Sequence, residues 1–135
     1  MELLFRAKKA YEHHQQNQKI EGSKFKSNHA FSKRLEESTR IIEKYPNRVP
    51  VICERICTNV PQLDRKKYLC PDDLSLANFM YVIRKRMHLE PEKALYLFVN
   101  DKMIPCSTLL SAVYDAEKRE DGFLYINYAG ESTFG

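Results

Sequence analysis

The sequence contains no tryptophan, and only four glycines and six prolines among its 135 residues. This composition excludes collagen-like and low-complexity proteins, which contain much more glycine and proline. The sequence also has no run of about 18 apolar residues, so we expect no membrane-spanning helix. Near the start, the apolar run Leu3–Phe5 is far too short for a secretory signal.

The residue patterns typical of metal sites and of enzymes are also missing. Cys53 and Cys57 have no second cysteine pair and no histidine nearby, so we expect no zinc site. The histidines fall in polar or helical settings and lack an adjacent nucleophile and orienting group: His13, His14, His29 and His88. We therefore expect neither a cofactor nor catalysis, and a small enzyme is the competing class of function.

The four cysteines indicate a reducing compartment. Cys53 and Cys70 lie inside apolar, strand-like runs, which is typical of core residues rather than of nucleophiles. Thiols of this kind stay reduced in the cytosol or the nucleus. We expect a cytoplasmic protein.

What the sequence does have is the composition of one globular domain, with 43% hydrophobic and 30% charged residues. Its charge is uneven, because residues 24–69 are strongly basic and residues 70–135 are acidic on balance. That asymmetry favours an acidic partner that docks on one face. No zinc-finger spacing, RNA-binding signature or arginine-rich tract is present, so we do not expect nucleic acid as the partner.

A break at Gly22 and Ser23 divides the chain into residues 1–23 and residues 24–135. Within the first segment, apolar residues at helical spacing predict a short amphipathic helix over residues 3–19. This extension is open to several interpretations: a loosely attached native helix, a membrane-touching segment, a tag, or a fused partner helix joined by a linker.

The second segment has the pattern of an α+β domain. A helix over residues 32–44, with Ser32 as its N-cap, precedes two strands that form a hairpin with a long loop. The remaining predicted elements are a helix over about 75–88 capped by Ser75, a strand Leu95–Val99, a helix Thr108–Lys118 and a strand Phe123–Tyr128. Ala129–Gly135 is expected to be a tail without a core-forming run. From residue 48 onwards, this order is that of a ubiquitin-like β-grasp with a mixed four-stranded sheet.

Several segments of residues 24–135 match a known family in the same order. The longest matching segment extends from Glu43 to Glu54. Others include Asp64–Leu69, Tyr81–Arg86, Phe98–Asp101, Asp121–Tyr125 and Thr133–Gly135. They resemble the autophagy-related protein eight family, the GABARAP-type ubiquitin-like modifiers. The resemblance implies two helices before the ubiquitin-like core, one near residues 24–29 and one over 32–44.

The family is conjugated through a C-terminal glycine to phosphatidylethanolamine, which implies the same role for Gly135. Activating and conjugating enzymes carry out that reaction, and a cysteine protease processes or delipidates the family's members. Because the sequence ends at Gly135, the resemblance implies a mature form or a member that needs no trimming. It also implies a place on autophagosome and vesicle membranes once the lipid is attached.

The resemblance implies a second site, where receptors and adaptors with an aromatic-x-x-aliphatic motif add a strand to the sheet. The residues that match the aromatic pocket are Glu37, Ile41, Pro50, Ile52, Lys67, Leu69 and Phe123. Those that match the aliphatic pocket are Tyr68, Pro71, Leu74, Phe79, Val82 and Ile83, with Cys70 where the family commonly has valine. Arg48, Lys66 and Lys67 would attract acidic residues that flank such motifs. The alternative is that the apolar residues only build the core and the cations are solvated.

A different function fits the same resemblance without conjugation. In it, the chain is a scaffold that binds cytoskeleton or vesicle-trafficking proteins through the basic region 24–48. The sequence departs from the family pattern in a shorter segment at Ile56–Pro61 and at Cys106–Thr108. These departures leave the glycine intact and bear on which partner peptides bind best.

Overall fold

A computed structural model describes residues 23–131 of the chain. The helix predicted over 3–19 and the tail with Gly135 lie outside the described residues. The elements, in chain order, are α1 Lys24–Asn28, α2 Phe31–Lys44, β1 Arg48–Arg55, β2 Lys67–Pro71, α3 Leu76–Arg86, β3 Leu95–Phe98, α4 Leu110–Glu117 and β4 Leu124–Gly130. Both helices expected before the core are therefore present.

The strands form one mixed sheet in the order β2-β1-β4-β3. β1 pairs antiparallel with β2, placing Val49 opposite Cys70, and parallel with β4, placing Val51 opposite Leu124. β3 pairs antiparallel with β4. The predicted ubiquitin-like β-grasp and its hairpin are confirmed, and β2 and β3 are the edge strands.

Alternation along β1 sends side chains to two separate cores, one on each face of the sheet. Val49, Val51 and Cys53 face the larger core, which α3 and α4 cover with Phe79 and Leu110 among other residues. The opposite face carries a smaller cluster, made of Phe25, Ile52, Phe123 and Tyr125 with Ile41 packed against it. Because α1 and α2 supply Phe25 and Ile41, the two N-terminal helices cover the second face.

Of the two predicted helix caps, one is confirmed and one is wrong. Ser75 caps α3 as predicted, since its Oγ accepts a hydrogen bond of 3.1 Å from the Asn78 amide. The expected cap Ser32 is wrong, because α2 begins at Phe31 and its N-cap is Ala30. The amides of Lys33 and Arg34 both donate to the Ala30 carbonyl at 3.0 Å, so the first turn closes before a hydroxyl at position 32 can cap it.

The last strand extends further than the sequence pattern indicates. β4 continues through Gly130, where β3 pairs Tyr96 with Ala129 and Leu95 with Gly130. Ala129 is completely buried, so its placement in a tail without core residues is wrong. A small residue fits there because the bulk of the local packing comes from Tyr96 and Phe98 of β3.

Candidate peptide-docking site

The candidate site surrounds β2, whose outer edge has no strand partner among the described residues. An edge strand of this kind presents backbone amides and carbonyls that a further strand can pair with. Along β2, Lys67, Leu69 and Pro71 alternate with Tyr68 and Cys70, so the two sets point to opposite faces of the sheet. Leu69 is 38% exposed and so presents apolar surface beside this edge.

On the α2 face, charged residues border the predicted aromatic pocket. Glu37 of α2 and Lys67 of β2 form an ion pair with an N–O distance of 2.6 Å. The Lys67 ammonium also lies 5.7 Å from the centre of the Phe25 ring. Ile41 is half-buried beside this pair, while Pro50 is buried. Cation, carboxylate and apolar surface therefore meet at one side of β2.

The deepest predicted residues of that pocket are core residues. Ile52 and Phe123 are 0% and 1% exposed, because Phe25 of α1 packs over them. The Phe25 and Phe123 rings meet edge to face, with their centres 5.5 Å apart. These side chains form the floor beneath Glu37, Lys67 and Leu69 rather than part of the surface. Phe25 was missed as a lining residue, although it is the only aromatic residue in the polar segment 23–30.

On the α3 face, the predicted aliphatic pocket has a similar division between surface and core. Tyr68 is half-buried and meets Phe79 edge to face, with ring centres 5.7 Å apart. Phe79 and Ile83 are buried in the larger core, whereas Val82 is 40% exposed. The surface residues of this side are Tyr68, Leu74 and Val82, whereas Pro71, predicted for the same pocket, alternates with Tyr68 and Cys70 and points to the α2 face. Cys70 of β2 is buried and belongs to the larger core.

Burial also determines the protonation of the groups in β2. It raises the pKa of the Tyr68 hydroxyl to about 12 and the pKa of the Cys70 thiol to about 12. Both groups therefore stay neutral at physiological pH. Cys70 consequently contributes apolar surface and not a reactive thiolate.

The three predicted cations do not lie together. Only Lys67 borders the apolar surface of the α2 face, as its contacts with Glu37 and Phe25 indicate. Lys66 instead lies 3.7 Å from the buried carboxylate of Glu54. It lines a separate groove of about 580 Å³ with other basic residues from α1 and from the neighbouring loops. Arg48 is exposed at the far end of the hairpin, opposite Pro71.

α1 is held in place by contacts that the sequence did not reveal. The Ser23 hydroxyl accepts from the Lys26 amide at 3.1 Å and thereby caps the helix. The same hydroxyl donates to the Glu54 carboxylate, which also accepts from the Phe25 amide at 3.1 Å. Ser23 belongs to the predicted break in the chain, and its contacts fix Phe25 over the pocket floor. The sequence signal for this cap is a serine three residues before the amide that it accepts from, here Ser23 and Lys26.

Other kinds of site receive no support from the described part of the chain. Among residues 23–131, no cluster of three or more His, Cys, Asp or Glu side chains is arranged to bind a metal ion. No helix in the same range has the length and hydrophobicity needed to cross a membrane.

Comparison with known proteins identifies the family. A family model described as autophagy protein Atg8 ubiquitin-like matches residues 33–135. The chain belongs to the Atg8 family. This confirms the resemblance found in the sequence and makes the chain an autophagy-related ubiquitin-like protein.

Relatives from fungi and a solved structure agree with the family. Autophagy-related protein 8 of Vanderwaltozyma polyspora is 54% identical over 114 residues, which cover 84% of this chain and 97% of that protein. The protein of the same name from Schizosaccharomyces pombe is 52% identical over 114 residues, covering 84% and 94%. The crystal structure of Trypanosoma brucei ATG8 is 42% identical, with a TM-score of 0.79, and covers 85% of this chain and 100% of that one.

Proposed function

We propose that the chain is a ubiquitin-like modifier of autophagy with two working parts. Through Gly135 it is joined to phosphatidylethanolamine, and through the edge of β2 it binds partner peptides with an aromatic-x-x-aliphatic motif. It has no catalytic role of its own. It is cytoplasmic before conjugation and resides on autophagosome and vesicle membranes afterwards.

The observation that carries the docking proposal is the arrangement of apolar surface around β2. Leu69 is exposed on the α2 face, while the half-buried Tyr68 and the exposed Val82 lie on the α3 face of the sheet. In an extended peptide, residues three positions apart point to opposite faces, because side chains alternate with a period of two. A strand added to β2 therefore directs its aromatic residue to one face and its aliphatic residue to the other.

The charges near β2 support an acidic flank on the partner peptide. Lys67 is 48% exposed at its side chain and adjoins the α2 face, where the aromatic residue would enter. A carboxylate of the peptide would compete with Glu37 for that ammonium. Such a contact is partly exposed, so it adds mainly to the association rate and to salt dependence.

Conjugation follows from the chemistry of a terminal carboxylate. The Gly135 carboxylate attacks the α-phosphate of ATP, and pyrophosphate leaves as the acyl-adenylate forms. A cysteine thiolate of an activating enzyme displaces AMP, and the acyl group passes by thioester exchange to a conjugating enzyme. The lipid amine then displaces that thiolate and an amide remains. Glycine suits this sequence because it has no side chain to obstruct a narrow enzyme site.

Calorimetric titration with an aromatic-x-x-aliphatic peptide tests the docking proposal. Replacing both Tyr68 and Leu69 with alanine should weaken binding by about 2 kcal/mol, or about thirtyfold. Leu69→Ala alone should cost a smaller part of this, and Leu109→Ala provides a matched control at another exposed leucine. Unchanged affinity in a folded double variant would show that the peptide binds elsewhere.

Reconstitution with activating and conjugating enzymes, ATP and phosphatidylethanolamine liposomes tests conjugation. Intact-mass measurement should detect lipid on the full chain and none after deletion of Gly135. A folded variant with serine at all four cysteines should still accept lipid, because the nucleophiles belong to the partner enzymes. Peptide binding without lipid addition to the full chain would instead favour the unconjugated scaffold.

A further inference from the structure

The end of β4 is bound by a side chain from a distant loop. Asn59 lies between β1 and β2, and its Nδ2 donates a hydrogen bond of 2.7 Å to the Glu131 carbonyl. Its Oδ1 accepts a hydrogen bond of 3.1 Å from the Gly130 amide. One side-chain amide thus satisfies the donor of Gly130 and the acceptor of Glu131 where β4 ends.

Contacts on both sides make this arrangement specific. The Cys57 thiol donates to the same Asn59 Oδ1, which orients the side-chain amide. On the other side of β4, Leu95 of β3 pairs with Gly130. β4 is therefore held from two directions at its last residue.

Gly130 is the residue that permits the close approach of Asn59. A Cβ atom added there would lie 2.9 Å from the Asn59 carbonyl oxygen and 3.1 Å from its Oδ1. The first of these distances is shorter than a carbon and an oxygen tolerate without movement. The glycine and the asparagine consequently form one matched unit, which we call the Asn59 clamp.

We propose that the Asn59 clamp positions the chain terminus for transfer to the partner enzymes. The inference rests on the proposed function, in which Gly135 is the conjugated residue. Covalent geometry keeps Gly135 within about 14 Å of Glu131, because four residues extend at most about 3.6 Å each. The clamp fixes the starting point of that short reach relative to the sheet. Asn59 is therefore a positioning residue and takes no part in the chemistry.

The clamp should influence how well the terminus enters an enzyme more than how fast it reacts there. A terminus that starts from a defined point loses less conformational entropy when an enzyme binds it. Once bound, the carboxyl group meets the same enzyme groups in every variant. Loss of the clamp should thus raise the KM of conjugation and leave kcat nearly unchanged.

The experiment compares the full chain with Asn59→Ala, Asn59→Asp and the control Asn78→Ala at another exposed asparagine. The alanine variant should exchange the Gly130 amide at least tenfold faster and raise the KM of conjugation about fivefold to tenfold. The aspartate variant keeps an acceptor for Gly130 but lacks the donor to Glu131. It should protect Gly130 better than alanine does, yet share the increase in KM. Asn78→Ala should match the unchanged chain.

The peptide-docking affinity and the melting temperature serve as reference readouts, because a general loss of structure would alter them. They should stay within twofold and within a few degrees of the unchanged chain. Equal KM values for the chain and both Asn59 variants would overturn the positioning role, as would unchanged exchange at Gly130 in Asn59→Ala. If Asn59→Ala does not fold, Asn59→Asp decides by its KM. A full chain that accepts no lipid would overturn the proposed function itself, which is a distinguishable result.

Discussion

Arg34 of α2 donates a hydrogen bond of 2.6 Å to Asp121, a carboxylate that is only 2% exposed in the turn before β4. The same carboxylate accepts from the Tyr125 hydroxyl and, at 3.0 Å, from the Phe123 amide. The Ser38 hydroxyl of α2 donates to the Asp121 carbonyl as well. Asp121 thus joins α2 to Phe123 of the pocket floor and to Tyr125 of β4.

Removal of the Asp121 carboxylate should therefore destabilise the whole domain. Asp121→Ala leaves the Arg34 guanidinium and the Tyr125 hydroxyl without their acceptor. Breaking a buried, hydrogen-bonded charge pair from one side usually costs about 3–5 kcal/mol, and we expect a loss of about 3 kcal/mol. Urea unfolding measures it, with exposed Asp115→Ala as the matched control. A loss below about 1 kcal/mol would mean that the Arg34 contact contributes little.

The tyrosines predict a loss of stability at alkaline pH. Burial raises the pKa of Tyr68 to about 12, and burial together with the hydrogen bond to Asp121 raises the pKa of Tyr125 well above its usual value. Burial raises the pKa of Tyr114 and Tyr128 too. The neutral forms are thus favoured in the folded state, so the stabilisation is complete below the unfolded pKa of about 10 and is lost as the pH rises above it.

The buried thiols of Cys53 and Cys70, whose pKa values burial also raises, act in the same direction above their unfolded pKa of about 8.5. The melting temperature should accordingly change little between neutral pH and about pH 8, begin to fall above that pH, and fall more steeply beyond about pH 10. Burial lowers the pKa of Lys26, whose ammonium lies 4.4 Å from the Tyr125 ring centre, so this group acts in the opposite direction. Four tyrosines outweigh one lysine in the sum. Tyr125→Phe should show a shallower decline than the unchanged chain in a thermal series over pH. If the melting temperatures of the unchanged chain and of Tyr125→Phe fall equally with pH, Tyr125 does not contribute to the loss of stability.

The cysteines should differ sharply in reactivity. Cys106 is exposed, whereas Cys53, Cys57 and Cys70 are buried, and all four are free. Burial raises the pKa of the Cys53 thiol well above its usual value and that of Cys70 to about 12, so both stay protonated near neutral pH. Mass spectrometry after brief iodoacetamide treatment should find one adduct on the folded chain and four in denaturant. A rapid second adduct on Cys70 would reveal opening at β2.

The Glu37–Lys67 ion pair should matter for binding and not for stability. Its two side chains are 29% and 48% exposed, and exposed pairs contribute at most about 1 kcal/mol. Lys67→Ala should weaken an acidic motif peptide severalfold and reduce the salt dependence of its affinity. Glu37→Ala should strengthen the same peptide by releasing Lys67.

Calorimetry at low and high salt measures these changes, and Lys118→Ala at the end of α4 controls for net charge. Equal effects of Lys67→Ala and Lys118→Ala would assign the salt dependence to overall charge rather than to the docking site.

The order and type of the core elements were predictable because each depends on a local pattern. A β-branched run indicates β1, the short run Tyr68–Cys70 indicates β2, and apolar residues at helical spacing indicate α3. The contacts that join elements across the sequence were not predictable. Arg34 and Asp121 are 87 residues apart, and Asn59 and Glu131 are 72 residues apart. Such pairs follow from the assembled fold, which no local pattern encodes.

For the candidate site, the sequence resemblance identified the surroundings of β2 but not their depth. It grouped Ile52 and Phe123 with Leu69, although only Leu69 reaches the surface. The difference depends on Phe25, and Phe25 is placed by the contacts of Ser23 and its own amide with Glu54. A five-residue helix such as α1 has too weak an intrinsic preference to reveal its packing from sequence alone.

The parallel pairing of β1 with β4 has a consequence for protein synthesis. The ribosome makes β1 early and β4 last, yet these two strands form the centre of the sheet. A nascent chain without Leu124–Gly130 carries β1 with one unpaired edge and the apolar residues Val51 and Ile52 along it, which favours aggregation. The central pairing of the sheet can therefore form only after the ribosome has released residue 130. The domain thus completes its fold late in its synthesis, and the inner edge of β1 stays unpaired until β4 arrives.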